Sequence, residues 1–286
     1  MIRAVITDID GVIVGDKIGF NSPYPNELVI NRLKQIHSLG TPIVLCSGKP
    51  HYAIEKIISD CALDNPHITD GGAIIINPIT NTIVKKHVIE ASLVTQIVSA
   101  YIQANMYVEI YTPDAYIIQK SQIREPLTKL HAHILQTPPI IVDDLTKESL
   151  LHEVIKVVPI AINIEDSSRL KLIFHPFDTK LSLAVNVHPI ANPHQFGLIT
   201  TKGVSKKQSA IDVTEVLNIP LSEVLGIGDS TSDWSFMELC GYTAAVQNAT
   251  DELKKLVLSK GTGHGFIGPS VDDNGMLSIL DHFMHM

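Results

Sequence analysis

Short apolar runs alternate with amphipathic stretches in the first part of the chain. Ala4–Thr7 is a β-branched, apolar run that stops at Asp8, a pattern typical of a strand buried on both faces of a parallel sheet. The segments that follow repeat this alternation: a helix that begins after Pro25-Asn26 and ends at Gly40, a strand at Pro42–Cys46, and a helix from about His51 to Cys61. Strands and helices in alternation predict a doubly wound α/β fold with a mostly parallel, Rossmann-like sheet.

From about Ile83 the pattern changes to hairpins separated by helices. Tyr107–Tyr111 and Tyr116–Gln119 have the pattern of two hairpin strands, with the turn Thr112-Pro113-Asp114 between them. The other predicted elements of this part are a helix at Ala91–Ala104 and strands at Ile155–Ile164 and Leu181–Val187. We therefore predict an inserted α+β domain over residues 83–198, called the cap below, within a core made of residues 1–82 and 199–286.

The alternation of strands and helices resumes after the cap. The predicted elements are a helix at Lys206–Leu217, a strand at Val224–Ile227, a helix at Asp233–Cys240 and a strand at Thr243–Val246. In open α/β sheets the ligand crevice lies beyond the carboxyl ends of the strands. Polar residues that follow the core strands should therefore meet in space, although they are far apart in the chain.

The bulk composition narrows the classes of function. Of the 286 residues, 45% are hydrophobic and 18% are charged, which indicates a packed globular protein. The formal net charge is −8 and the chain has no run of Lys or Arg, so a nucleic-acid partner is not expected. An acidic balance still permits an anionic substrate, because local groups and any bound cation govern a site.

Membrane and redox signals are also weak. No stretch reaches the ~18 apolar residues of a membrane helix, and the N-terminus lacks a signal-peptide layout, so we expect a cytoplasmic protein with no membrane partner. The cysteines are odd in number and have no CxxC spacing, which argues against a disulfide framework or a structural zinc site. We predict that each is a buried small apolar residue: Cys46, Cys61 and Cys240.

The first chemically distinctive cluster is Asp8-Ile9-Asp10-Gly11, directly after the first predicted strand. Two carboxylates two residues apart can take different roles, one as a nucleophile and the other as a proton donor and acceptor. A solvated turn closed by glycine would give the same short pattern, so the context decides between the two interpretations.

Three further clusters follow other core strands or open the next helix. Ser47-Gly48 offers a hydroxyl and backbone N–H groups, which suit a phosphate oxygen or a simple helix cap. Lys206 opens a helix, where the helix dipole disfavours a cation unless an anion lies nearby or water solvates it. Asp229 and Asp233 could give oxygen ligands to a hard cation, although Asp233 could instead cap the helix that follows.

Two acids, a hydroxyl, a lysine and further acids, in this order, resemble the haloacid dehalogenase (HAD) superfamily, and more narrowly its Cof-type sugar-phosphate phosphatases. The resemblance extends to Gly203-Val204-Ser205-Lys206, to Gln247-Asn248-Ala249 after the last predicted core strand, and to an insertion at the position of the cap. It implies a Mg²⁺-dependent phosphatase with an α+β cap that determines specificity. The implied substrate is a small phosphorylated metabolite, with a sugar phosphate as the first choice.

The resemblance also implies roles for individual residues. Asp8 is expected to attack phosphorus and become an aspartyl phosphate, while Asp10 protonates the leaving oxygen and then activates water. The implied ligands of Mg²⁺ are the Asp8 carboxylate, the Asp10 backbone carbonyl, Asp229 and Asp233. The implied phosphate-binding residues are Ser47, Gly48, Lys206, Ser232 and Asn248. Ser232 departs from the family's usual asparagine and is shorter.

Two other functions fit parts of this pattern. A phosphomutase of the phosphomannomutase type shares the fold and the Asp8 chemistry, but it must retain its intermediate and needs a bisphosphorylated activator. A non-catalytic binding module with a phosphorylatable Asp, like a receiver domain, would leave the insertion without a use. The cap has several polar aromatic residues that could contact substrate, although ordinary packing or surface positions are expected for each: Tyr107, Tyr111, Tyr116, His131, His133 and His188.

Overall fold

The protein is described by a computed structural model that covers residues 1–187, 191 and 193–284. Its contacts divide the chain into two compact units. The first unit comprises Met1–Ser47, Ile54–Val84 and the residues from Ser205 on, and the second comprises Gly48–Ala53 and Lys85–Val204. The boundaries of the cap, 83–198, stay a prediction. His188 lies outside the described residues.

Strands and helices alternate in the first unit and are grouped differently in the second. In chain order the strands are β1 (Ala4–Thr7), β2 (Ile43–Leu45), β3 (His67–Thr69), β4 (Ile74–Asn77), β5 (Thr82–Lys86), β6 (Tyr107–Tyr111), β7 (Tyr116–Gln119), β8 (Ile140–Val142), β9 (Lys156–Ala161), β10 (Leu181–Val187), β11 (Gln195–Thr201), β12 (Val224–Gly228), β13 (Tyr242–Val246) and β14 (Gly265–Gly268). The helices are α1 (Glu27–Ser38), α2 (Glu55–Asp60), α3 (Ala91–Gln103), α4 (Leu127–Leu135), α5 (Leu145–Glu148), α6 (Ile164–Phe174), α7 (Lys206–Leu217), α8 (Thr231–Met237), α9 (Asp251–Ser259) and α10 (Gly275–Met284).

A five-stranded parallel sheet with the order β14-β13-β12-β1-β2 forms the centre of the first unit. Strand β1 pairs with β12 on one side and with β2 on the other, so that Val5 lies level with Leu225 and Ile43. All four residues of β1 are buried, as expected for a strand with both faces covered by helices. This arrangement confirms the predicted α/β fold with a mostly parallel sheet.

The first helix shows how local sequence sets the elements of this unit. The side chain of Asn26 caps α1 by accepting a hydrogen bond from the Leu28 N–H at 3.0 Å. The buried face of the helix recurs at helical spacing in Val29, Leu33 and Ile36, which pack into the core against the sheet. A three-stranded sheet of β3, β4 and β5 extends the same unit, and β5 continues into the second one.

The second unit is built on a six-stranded sheet with the order β10-β11-β9-β6-β7-β8. Its pairings are antiparallel except that of β7 with β8. One face packs its own apolar core with α3 and α6, in which Val98, Ile110 and Leu170 are buried. The inserted region is therefore α+β, as predicted.

Two predicted elements are corrected by the structure. The strand predicted at Ile155–Ile164 ends at Ala161, because Asn163 caps α6 by accepting a hydrogen bond from the Asp166 N–H at 2.8 Å. The helix predicted at Asp233–Cys240 begins two residues earlier, at Thr231, and ends at Met237. The predicted burial of the cysteines is confirmed for all three. Among the described residues, no helix has both the length and the apolar character needed to cross a bilayer.

Candidate active site

The carboxyl ends of two neighbouring strands bring the first acids together. Asp8 directly follows β1, and its backbone N–H continues the pairing with β12 by donating to the Ile227 carbonyl at 3.0 Å. Asp229 directly follows β12. Because β1 and β12 are parallel neighbours, both carboxylates emerge at the same edge of the sheet, as the sequence predicted.

Gly11 allows the loop after β1 to pass directly beside Asp229. Its φ is +79°, a left-handed conformation that side chains disfavour, and a Cβ at this position would overlap the Asp229 carboxylate. The Gly11 N–H also donates to the Val14 carbonyl at 2.7 Å, which closes the loop tightly. The glycine of the Asp8-Ile9-Asp10-Gly11 motif therefore has a steric reason: it makes room for the acid of the neighbouring strand.

Lys206 forms hydrogen bonds with two acids of the first unit, Asp8 and Asp233. Its Nζ donates a hydrogen bond to Asp8 Oδ1 at 3.0 Å and another to Asp233 Oδ1 at 2.7 Å. The lysine is the first residue of α7, where a cation is disfavoured by the helix dipole. The two carboxylates are anions of the kind that the position of Lys206 at a helix start predicts.

Asp233 has hydrogen-bond partners at both of its carboxylate oxygens. Its Oδ1 accepts from Lys206, while its Oδ2 accepts from the backbone N–H groups of Asp229 at 3.2 Å and Ser230 at 3.3 Å. The residue is fully buried. It therefore stabilises the start of α8, as the capping-box partner of the N-cap residue Ser230, while it also lies in the acid cluster. Its role as a metal ligand stays a prediction.

Burial and crowding perturb the pKa values at this edge of the sheet. Burial, then the charge of Asp233, raise the pKa of Asp8 to about 7, although Lys206 opposes the shift. Burial, then the charges of Asp8 and Asp233, raise the pKa of Asp229 to about 8. Burial alone would lower the pKa of Lys206, but Asp233 and Asp8 raise it well above its ordinary value. The cluster therefore carries more negative charge than one ammonium group can balance.

Three acids at this edge of the sheet fit a divalent cation. Asp8, Asp229 and Asp233 each offer a carboxylate oxygen, and these atoms lie within 4.8 Å of one another. Oxygen ligands suit a hard cation, whose charge would offset the repulsion that raises the pKa values of Asp8 and Asp229. Asp10 is half-buried, and its charge contributes to the same two shifts, so that it too is close to the cluster.

The other predicted phosphate-binding residues differ in their surroundings. Ser47 is buried, and its backbone carbonyl accepts from the Gly71 N–H at 3.0 Å. Ser232 is exposed, and its hydroxyl pairs with that of Ser230 at 2.8 Å. Gly48 belongs to the second unit, where its carbonyl accepts from Lys156 Nζ at 3.0 Å.

The side chain of Asn248 is bound to backbone groups of two other segments. Its Nδ2 donates to the Gly11 carbonyl at 2.8 Å, and its Oδ1 accepts from the Val271 N–H at 2.8 Å. Both ends of the amide are therefore occupied by backbone groups. These contacts favour a role in holding the loop after β1, and phosphate binding by Asn248 stays a prediction.

The second unit has a buried polar cluster of its own. Glu109 is fully buried. It accepts a hydrogen bond from the Tyr111 hydroxyl at 2.8 Å, and its other carboxylate oxygen pairs with His131 Nδ1 at 2.9 Å. The ammonium group of Lys156 lies 4.0 Å from the centroid of the Tyr111 ring. Tyr111 and His131 were candidates from the sequence, whereas Glu109 and Lys156 were not. The sequence signal that could have identified them is a charged residue within an otherwise apolar strand, as at Glu109 in β6 and Lys156 in β9.

Fold and site together define a class. A parallel α/β core with an inserted mixed-sheet unit, and acids with a lysine at the carboxyl ends of its strands, is the arrangement expected for the HAD superfamily. The family described as haloacid dehalogenase-like hydrolase matches residues 5–276, which is most of the chain. The protein belongs to this family, and it is a HAD-like phosphatase.

Similar proteins and structures agree over the whole length of the chain. The 5-amino-6-(5-phospho-D-ribitylamino)uracil phosphatase YwtE of Bacillus subtilis is 24% identical, over 99% of this chain and 98% of that protein. A haloacid dehalogenase-like hydrolase from Bacteroides thetaiotaomicron has a TM-score of 0.82 at 18% identity, over 98% of this chain and 99% of that one. The HAD subclass IIB sugar phosphatase BT4131 has a TM-score of 0.79 at 20% identity, over 99% of this chain and 100% of that one. These structural matches establish the fold, including the inserted unit.

Proposed function

We propose that the protein is a Mg²⁺-dependent phosphatase that hydrolyses a sugar phosphate or polyol phosphate through an aspartyl phosphate on Asp8. The observation that carries the proposal is the convergence of Lys206 on Asp8 and Asp233, with Asp229 beside them. A buried nucleophile, a cation for the transferred group and a set of oxygen ligands are the parts that phosphoryl transfer needs.

Asp8 and Asp10 carry out the two half-reactions. A carboxylate oxygen of Asp8 attacks phosphorus while the bond from phosphorus to the leaving alcohol breaks, and Asp10 gives its proton to the alcohol oxygen. Asp10 then takes a proton from the water that attacks the aspartyl phosphate. This second step releases inorganic phosphate and restores both acids.

Lys206 and Ser47 hold charge and orientation during these steps. The hydrogen bond from Lys206 Nζ fixes one oxygen of Asp8, and the ammonium charge offsets that of the incoming phosphate. Ser47 offers a hydroxyl from a buried position at the end of β2. Asp8, Asp229, Asp233 and the Asp10 backbone carbonyl would hold Mg²⁺, which when bound neutralises charge on the transferred phosphoryl group.

Two relatives support the class of substrate. The name of YwtE specifies a phosphate on a ribityl chain, and that of BT4131 specifies a sugar phosphatase. A phosphate ester on a polyhydroxylated carbon chain is common to both descriptions. We infer that the substrate of this chain has the same feature.

A panel of phosphate esters tests this proposal. Purified protein with Mg²⁺ is assayed for phosphate release from hexose, pentose and polyol phosphates, with p-nitrophenyl phosphate as the reference ester. We expect at least one polyhydroxylated phosphate to exceed the reference in kcat/KM. Absence of phosphate release from every member of the panel would overturn the proposal. Conversion of a hexose phosphate into its isomer without phosphate release, in the presence of a hexose bisphosphate, would instead favour a phosphomutase.

A further inference from the structure

The loop between β3 and β4 has an unusual backbone. Asp70, Gly71 and Gly72 have φ values of 54°, 68° and 102°, so that three successive residues lie in the left-handed half of the Ramachandran plot. Side chains rarely adopt this conformation, and Asp70 does so while fully buried. A hairpin turn between two strands accounts for left-handed residues at two positions. It does not account for the contacts that this turn makes with other segments of the core.

One side of the turn holds the backbone of Ser47. The Gly71 N–H donates to the Ser47 carbonyl at 3.0 Å, and the Ser47 N–H donates to the Ile68 carbonyl at 2.9 Å. Both peptide groups of Ser47 are therefore fixed by the segment that contains the turn. Ser47 has little freedom to move without this segment.

The other side of the turn holds the start of α7. The Ser209 hydroxyl donates to the Gly72 carbonyl at 2.9 Å. A Cβ on Gly72 would lie 2.6 Å from the Ser205 carbonyl oxygen and 2.8 Å from Ser209 Oγ. Ser205 is the N-cap of α7, and Lys206 is the first residue of that helix. The turn therefore packs against the backbone that carries Lys206, at a distance that only glycine permits.

We propose that the turn Asp70–Gly72 is a positioning element that sets the separation of Ser47 and Lys206, and thereby the affinity of the site for a phosphate oxyanion. The proposal rests on the phosphate-binding roles proposed for these two residues. The turn itself supplies no group to the phosphate. It acts because Ser47 and Lys206 come from segments far apart in the chain, and the Asp70–Gly72 turn is in contact with both.

Gly72→Ala tests the proposal, with Gly40→Ala as the matched control. Gly40 also has a positive φ, +91°, but a Cβ there meets nothing within 4 Å among the described residues. Both variants carry the same kind of backbone strain, and only Gly72→Ala displaces Ser205. The probe is inorganic phosphate, titrated calorimetrically into the protein with Mg²⁺, well below the melting temperatures of all variants.

We expect Gly72→Ala to raise the Kd for phosphate about tenfold and to lower kcat/KM by about 100-fold, the scale of a small misplacement of binding groups. The Mg²⁺ concentration for half-maximal activity should not change, because Asp229 follows β12, whereas the turn positions the segments of Ser47, Ser205 and Ser209. A general loss of packing would instead change both the Kd for phosphate and the Mg²⁺ concentration for half-maximal activity. Gly40→Ala should bind phosphate like the wild type. Equal phosphate affinities for Gly72→Ala and Gly40→Ala would overturn the proposal.

Ser209→Ala keeps the test decisive if Gly72→Ala does not fold. Loss of the hydroxyl that holds the Gly72 carbonyl should raise the phosphate Kd about threefold, a smaller effect than that of the steric change, because one neutral hydrogen bond is lost. Unchanged affinity in this variant would count against the proposal. Binding is measured without turnover, so a wild type that binds phosphate but hydrolyses no ester would contradict the proposed function while leaving the role of the turn supported. A wild type that binds no phosphate would overturn the role of the turn as well.

Discussion

Lys206 Nζ donates a hydrogen bond to Asp8 Oδ1 at 3.0 Å although 198 positions separate the two residues in the chain. The contact exists because Asp8 directly follows β1 of the parallel sheet and Lys206 begins α7 of the same unit. It ties the proposed nucleophile to the cation that would face the transferred phosphoryl group.

Asp8→Asn should abolish phosphatase activity and leave the fold intact. The amide is nearly isosteric with the carboxylate but cannot act as the nucleophile, so we expect kcat to fall by roughly a thousandfold or more. Phosphate release and the circular dichroism spectrum give the two readouts, and intact-mass measurement excludes deamidation. Asp251→Asn is the control, because Asp251 is exposed on α9. Residual activity of several per cent in Asp8→Asn would refute the nucleophile assignment.

Lys206→Ala should lower kcat by about 100- to 1000-fold, the loss typical of one preorganised donor to a developing charge. The neighbouring Lys207 provides a matched control, because its ammonium group pairs with Glu238 on the surface. The side chain of Lys206 is 13% exposed and that of Lys207 is 46% exposed. Lys207→Ala should stay within about twofold of the wild type, as is usual for a surface ion pair. Similar kcat values for the two variants would remove Lys206 from the proposed mechanism.

The sequence predicted that Asp8 and Lys206 would meet, because they follow a core strand and open a core helix. The strength of the local pattern explains which elements were located and which were missed. Elements with a regular pattern were located closely: β1, the hairpin of β6 and β7, and α7 have the predicted bounds. Asn163 is a helix-cap residue inside an apolar run, and the run concealed the start of α6. The turn Asp70–Gly72 gave only a glycine signal, because its contacts with Ser47 and Ser209 depend on tertiary packing that no local pattern encodes.

Asp229→Asn should raise the Mg²⁺ requirement of the enzyme. An amide oxygen is a weaker ligand than a carboxylate, and even indirect partners of a metal typically change its affinity by about 10- to 100-fold when mutated. We therefore expect the Mg²⁺ concentration for half-maximal activity to rise at least about tenfold. Activity is measured across a Mg²⁺ titration after treatment with EDTA. The control is Asp212→Asn, because Asp212 is a half-buried residue of α7. An unchanged titration midpoint would show that Asp229 is not a ligand.

Asn248→Ala distinguishes a loop-holding role from the phosphate-binding role that the sequence suggested. Both ends of its amide are bound to backbone groups, so the variant should lose about 1 kcal/mol of unfolding free energy. The phosphate Kd should stay within about twofold of the wild type, because no phosphate contact is removed. The adjacent, exposed Gln247 gives the control variant Gln247→Ala. A large rise in the phosphate Kd, with unchanged unfolding, would instead support direct phosphate binding.

His67 should make the stability of the protein depend on pH below neutrality. The residue is fully buried in β3, its Nδ1 accepts from the Leu45 N–H at 3.1 Å, and burial lowers its pKa to about 3. The unfolded chain, in which histidine has a pKa of about 6.5, therefore binds a proton that the folded state does not bind at pH 5. The stabilising effect of the neutral imidazole is complete above about pH 6.5 and is lost as the pH falls towards 3.

The expected loss from this histidine between pH 7 and pH 5 is about 2 kcal/mol of unfolding free energy. His67→Asn keeps an acceptor for the Leu45 N–H but does not titrate in this range, so its loss should be smaller by about that amount. Urea unfolding at the two pH values measures both proteins, and the difference between them cancels the contributions of the other histidines. Equal losses would mean that His67 binds its proton in the folded state near the ordinary pKa, and that its burial next to β2 does not control the response to acid.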